Sequence, residues 1–197
     1  MNQRANGISS NRLEAFSDGV FAIIITIMVL GIRSPTGHKF ADLIPLRAVF
    51  LSYLLSFIYL IIYWNNHHHL LKTLEISNGW TMWANSNLLF WLSLVPFSTA
   101  WLGTSGGAKA STALYGFSLL MPAIAYALLQ FAIIKTHGND SSLKKALGRD
   151  IKGKLSPVLY ATAIVFAFFV PLISYILYAA VALVWVIPDR RIASGRK

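Results

Sequence analysis

Long apolar runs separated by short polar stretches organise this chain. A helix that crosses a hydrocarbon core of about 30 Å needs about 20 mostly apolar residues. Runs of that kind predict spanning helices over about 12–32, 46–67, 80–102 and 113–134. Asn11 is expected to cap the first of them, with Glu14 at the third helical position as in a capping box. The last apolar stretch, from Leu155 to Pro188, would be about 50 Å long as one helix, too long for a single crossing. Pro171 lacks an amide proton and clashes with the preceding turn, so the stretch is expected to split there into spans over about 156–170 and 172–187.

Loop charge supports six spans rather than five. With the N-terminus placed in the cytoplasm, only Arg33, Lys39, Arg47 and Lys109 fall outside, and the other thirteen of the 17 Lys and Arg fall inside. Five spans would erase this bias, which is the usual determinant of orientation. Both termini are therefore expected in the cytoplasm of a multi-pass cell-membrane protein. Trp64, Trp80, Trp83, Trp101 and Trp185 fall near predicted helix ends, where amphipathic rings favour the interface. Trp91 is mid-span and is expected to pack on another helix. The longest loop, Lys135 to Lys154, carries a Gly-Asn-Asp-Ser-Ser turn and is expected along the inner leaflet.

Composition agrees. The 197 residues are 56% hydrophobic and 12% charged, whereas soluble domains carry about 25% charged residues. The net charge of +10 lies between apolar runs and reads as topology, so nucleic acid is not an expected partner. The chain has no cysteine, which excludes disulfides, thiol catalysis and Cys-based metal centres. The expected fold class is thus all-α, one transmembrane domain over residues 1–197 with no second domain.

The first helix holds most of the informative residues. Arg12, Glu14, Ser17 and Asp18 crowd its predicted cytoplasmic end, followed by a wall of Ile, Val, Leu and Met. An ionisable residue in a span is costly and marks a functional candidate. Asp18, only two turns in, could equally serve as a local cap or pair. At about 100° per residue, Phe16, Val20, Ile23, Ile27 and Leu30 share one stripe, and Asp18 stands about 140° from Ile23. The carboxylate and the stripe therefore face different surroundings. Polar residues at the end of the second span (Asn65, Asn66, His67, His68, His69) and the start of the third (Asn85, Ser86, Asn87) lie at the same depth. An Asp/Ser–His–Asn hydrogen-bond network among the three helices is expected there. Mid-span Pro96 and Pro122 are expected as kinks or packing features, with Ser93, Ser98 and Thr99 available to bond freed carbonyls.

The run Arg12-x-x-x-Phe16-Ser17-Asp18-Gly-Val-Phe-Ala-Ile23, with Thr26 three residues on, resembles the first helix of the endosomal/lysosomal potassium channel family. Trp64 with His67, and Pro96 to Thr99, add weaker likeness. The single-repeat length is similar to the family's prokaryotic branch. That resemblance implies a homotetramer in the lipid bilayer that conducts potassium ions in preference to sodium. It implies a central pore lined by four copies of the first helix and narrowed by rings of Ile23, Ile27 and Leu30. It also implies a structural role for Arg12, Phe16, Ser17 and Asp18, tied to His67 and Asn85 on the second and third helices. No Thr-Val-Gly-Tyr-Gly filter is present, and Gly103 to Gly107 has no pore helix before it. The expected gate is accordingly a hydrophobic constriction that dewets.

Other readings compete. An aliphatic stripe on a membrane helix also suits lipid or a neighbouring helix. Asp18 with His67 could relay protons in a proton-coupled carrier of cations or small solutes. His67, His68 and His69 invite a metal, but three consecutive helical residues point in three directions, unlike the i, i+4 spacing of helical chelates. No metal and no cofactor is expected. With one acid inside a span and no evident oxyanion donors, no catalytic residue is assigned and an enzyme is not expected.

Overall fold

A computed structural model describes residues 8–74, 76–137 and 150–186. The structure is all-α. Its helices are α1 (Ser10–Leu30), α2 (Arg47–Leu71), α3 (Gly79–Ser93), α4 (Val95–Thr104), α5 (Lys109–His137), α6 (Ile151–Ala167) and α7 (Pro171–Val186). A short 3-10 helix, Phe40–Leu46, leads into α2. Because α3 and α4 continue one another, the described helices form six rods. The remainder of the loop from Gly138 to Arg149, with its Gly-Asn-Asp-Ser-Ser turn, and the basic tail from Ile187 to Lys197 lie outside the described residues.

Proline accounts for both interruptions. Pro96 has no amide proton to give the carbonyl of Leu92, so regular pairing lapses at Leu94 and resumes with Ser98 N–H donating to Leu94 O at 3.3 Å. Nearby hydroxyls bond the carbonyls on either side of the kink. Ser93 donates to Phe90 O, and Ser98 and Thr99 both donate to Val95 O. Pro171 begins α7 after a three-residue break, and Ser174 ties the resulting hairpin by donating to Ala163 O at 2.6 Å. Pro122, by contrast, lies within α5.

The bundle has two packed centres. One gathers Phe21, Ile24 and Met28 of α1 with Leu60, Leu70 and Leu71 of α2, Leu88 and Leu92 of α3, and Leu129 and Ile133 of α5. The other gathers Tyr59, Leu102, Tyr115, Tyr160 and Tyr178 from α2, α4, α5, α6 and α7. Trp91 packs edge-on against Phe117 of α5, ring centroids 5.7 Å apart. Backbones approach closely where side chains are small. A Cβ on Gly103 would stand 2.8 Å from Val49 Cα, so α4 and α2 touch through that glycine. The polar atoms of the second centre satisfy one another. Ser56 bonds both Thr99 (2.7 Å) and Tyr115 (2.9 Å), Tyr59 donates to Tyr178 O (2.6 Å), and Tyr178 donates to Thr112 O (3.0 Å).

The outer surface is apolar. Leu172, Ile176, Leu183, Val158 and Val165 are all more than half exposed, as suits helices surrounded by hydrocarbon rather than water. Among the described residues, three segments are long and apolar enough to cross a membrane by length and composition: Ser10–Leu30, Phe40–Leu71 and Lys109–Thr136.

Candidate functional site

The start of α1 differs from the sequence expectation. Ile8 and Ser9 form a two-residue strand, β1, antiparallel to β2 (Ile76–Ser77). This pairing keeps the backbone extended through Ser9, so the helix opens at Ser10 and Ser9 occupies the cap position without a side-chain bond. Asn11 is therefore inside the helix and does not cap it. Glu14 makes no capping box. Its carboxylate instead meets His68 Nδ1 of α2 at 2.5 Å.

Leu13, Ser17, Phe21, Ile24 and Met28 form the buried face of α1, spaced so that each lies one turn from the next. Ser17 is fully buried and donates to Leu13 O at 2.8 Å. It also accepts from Asn85 Nδ2 at 3.0 Å. The other end of that amide, Oδ1, meets His67 Nε2 at 2.7 Å. With its nitrogen committed to Ser17, Asn85 presents an acceptor to the ring, so His67 carries its proton on Nε2. His67 Nδ1 is buried and has no hydrogen-bond partner among the described residues. The ring of Phe21 lies against His67, centroids 5.6 Å apart. Three helices thus meet through Ser17 (α1), His67 (α2) and Asn85 (α3), each side chain fully buried.

Asp18 stands off this chain. Its Oδ1 accepts from Trp64 Nε1 at 2.9 Å, and the Trp64 ring stacks on His68, whose imidazole pairs with Glu14. The first two turns of α1 are thereby tied to the last two turns of α2 through Asp18–Trp64 and Glu14–His68. No hydrogen bond joins Asp18 to His67 among the described residues. Arg12 is exposed, and Phe16 is 61% exposed. The three consecutive histidines point apart: His67 to Asn85, His68 to Glu14, and His69 to the flank of His68. No group of three or more His, Cys, Asp or Glu suited to a metal occurs among the described residues.

The aliphatic row is the other prominent feature of α1. Ile23 is 58% exposed, Ile27 51% and Leu30 80%, on a line roughly 100° around the axis from the buried face. Beside that row, Ala15, Gly19, Ala22 and Thr26 are also exposed. The Thr26 hydroxyl turns back to donate to Ile23 O at 2.9 Å. No other part of the described chain covers these residues.

Sequence reasoning did not find Trp64 as the partner of Asp18, nor the Glu14–His68 pair. The available signal was spacing: Trp64 and His68 are four apart, one turn of the same helix face. Nor did it find the Ser56–Thr99–Tyr115 cluster, for which Ser52 and Ser56, four apart in an apolar run, were the only trace.

Residues 12–96, which include all of α1 beyond its first turn, match the endosomal/lysosomal potassium channel TMEM175 family. A potassium channel of Chryseobacterium sp. is 50% identical over 190 residues, 96% of this chain and 99% of that relative. The chain belongs to the TMEM175 family. A potassium channel of Streptomyces collinus is 30% identical over 64% of the chain and 66% of the relative. A crystal structure of a lysosomal potassium-selective TMEM175 homologue from Chamaesiphon minutus superposes with a TM-score of 0.79 at 28% identity. That match covers 91% of this chain and 97% of that one. Membership makes the chain a membrane protein of a potassium-channel family and not an enzyme.

Proposed function

We propose that the protein is a potassium-over-sodium channel of the cell membrane, a homotetramer whose pore is lined by α1 from each subunit. The observation that carries this reading is the row Ile23, Ile27 and Leu30, left uncovered by the other described residues on the helix that bears the family signature. One chain supplies a single such row. A closed ring needs several copies related by rotation about a common axis. The small flank of Ala15, Gly19, Ala22 and Thr26 supports close approach between neighbouring helices, and a Cβ on Gly19 would meet nothing within 4 Å. The relatives supply the ion: they are potassium channels, and the solved homologue is potassium-selective.

The mechanism follows from aliphatic chemistry. A ring of Ile side chains offers no oxygen to replace water, so it conducts only when wide and wet, and it closes by packing and dewetting. An ion crossing it sheds part of its hydration shell, which costs less for potassium than for the more strongly hydrated sodium. Ser17, Asn85 and His67, with Asp18 on Trp64, hold the cytoplasmic end of α1 at a fixed angle and set where the rings fall. The six rods cross the membrane with both termini in the cytoplasm, in keeping with the distribution of Lys and Arg.

Planar-bilayer recording with potassium on one side and sodium on the other tests this. Discrete conductance steps are expected, with a reversal potential that favours potassium, and Ile23→Asn should bring the permeability ratio towards one. Unchanged flux and selectivity in that variant would overturn the pore assignment. Saturable, gradient-driven transport without steps would replace the channel by a carrier.

A further inference from the structure

A cleft separate from α1 opens among α2, α5, α6 and α7. It has a volume of about 270 Å³. Its walls are aromatic and aliphatic, with Phe131, Ile134, Tyr160 and Trp185 among them. A second hollow of about 230 Å³ shares Ile62, Asn66 and Trp185 with it. Two adjoining apolar lobes with a common wall suit a pair of hydrocarbon chains better than one compact solute.

Two polar side chains in the cleft have no hydrogen-bond partner among the described residues. Gln130 of α5 lines it and is 9% exposed, yet its amide makes no hydrogen bond among the described residues. Tyr63 of α2 lines it as well, and its hydroxyl is equally without a described partner. Tyr126 differs, since its hydroxyl is already given to Asn66 O at 3.1 Å. An amide buried among apolar groups costs free energy until something bonds it. Gln130 lies seven residues before the end of α5, and Tyr63 eight before the end of α2, about 11 Å along each axis. That depth is near the boundary between hydrocarbon and headgroups, where ester carbonyls of a glycerolipid lie.

The mouth carries one charge of each sign. Lys154 lines it with its side chain exposed, and Asp150 lines it with a carboxylate that also caps α6 by accepting from Gly153 N–H at 3.1 Å. From this arrangement we infer that the cleft holds one glycerophospholipid of zwitterionic type per subunit. Its phosphodiester meets Lys154, its primary ammonium meets Asp150, its ester carbonyls accept from Gln130 and Tyr63, and its acyl chains fill the two lobes. A lipid with phosphate but no ammonium leaves Asp150 facing an anion and binds less well. The site is remote from the aliphatic row of α1 and does not rest on the pore assignment.

Native mass spectrometry of the detergent-extracted, intact protein tests the inference, after equilibration with phosphatidylethanolamine or with phosphatidylglycerol. One phospholipid retained per chain is expected, with phosphatidylethanolamine preferred. Gln130→Leu should lower retention about five-fold, the equivalent of one lost hydrogen bond. Asp150→Asn, which preserves a capping side chain, should abolish the preference between the two lipids. Lys154→Ala should weaken both. If Gln130→Leu does not fold, the two variants at the exposed mouth still decide the matter. Retention equal to wild type in the mouth variants, or no phospholipid retained by the wild type, overturns the inference.

Discussion

Phe21 and Ile23 stand two residues apart on α1, about 160° apart around its axis, and their surroundings differ completely. Phe21 is 1% exposed and packed on His67, within a face that also carries Leu13, Ser17, Ile24 and Met28. Ile23 is 58% exposed, in line with Ile27 and Leu30, and nothing among the described residues touches that row closely enough to bury it. The exposed row is the more apolar of the two, all Ile and Leu against a buried face that includes Ser17, so hydrophobicity does not decide which face is buried. What differs is the company of polar groups. The buried face includes a serine whose hydroxyl bonds Asn85 and through it His67. The exposed row includes no side chain with a bond to another helix. One face determines how the helix sits in the subunit, and the other is left open by the described residues.

Substitutions can break that contrast. The largest effect is expected for Phe21→Ala, which opens a cavity in the buried face and should cost about 3–5 kcal/mol of stability. Ile23→Ala in the same assay should stay within about 0.5 kcal/mol of the wild type. Thermal unfolding in detergent, followed for both variants, checks the pair. Equal losses would show that the two faces are equally buried in the working protein.

Next comes the polar joint. Asn85→Leu leaves His67 Nε2 without a partner in an apolar interior and removes the bond Ser17 accepts, while Ser17 still donates to Leu13 O, at a cost of about 1–3 kcal/mol. Its unfolding temperature should fall, while potassium-over-sodium selectivity in the molecules that remain folded should hold. A loss of selectivity with unchanged stability would move Asn85 from the structural face to the conducting one.

Trp64→Phe keeps the ring but removes the donor to Asp18, and should cost about 1 kcal/mol. Asp18→Ala combined with Trp64→Phe should add little to the larger single change, since both remove the same bond; full additivity in the unfolding data would deny the coupling. Smallest of all is Glu14→Gln. The Glu14–His68 pair is partly exposed, and such pairs contribute at most about 1 kcal/mol. The difference from wild type should shrink as salt is raised, because exposed charges are screened. A salt-independent difference would show that the pair is shielded from solvent in the assembled protein.

Much of this was legible without coordinates because the signals are local. An apolar run of about 20 residues has one economical conformation in lipid, which is why α1, α2 and α5 were readable. The angular separation of Asp18 from Ile23 follows from helix geometry alone, and the carboxylate does turn to a neighbouring helix rather than along the row. The cap at Asn11 failed for a non-local reason: β1 pairs with β2, almost seventy positions away, and this sets where the helix opens. The interruption of the third span falls at Leu94, two residues before Pro96, where the missing amide proton and the hydroxyls of Ser93, Ser98 and Thr99 were already legible.

By itself, then, the sequence determined six apolar segments, the distribution of charge along them, and an aliphatic row on the first. All of these come from composition and a period of 3.6. Only the tertiary structure decided that Asp18 bonds Trp64, that Asn85 joins Ser17 to His67, that Glu14 reaches His68, and that Gln130 lines a cleft with no partner among the described residues. Each of these depends on how far a helix is rotated about its axis and at what depth it meets its neighbour. Rotation and depth are set by the packing of all the helices together, and no single segment encodes them.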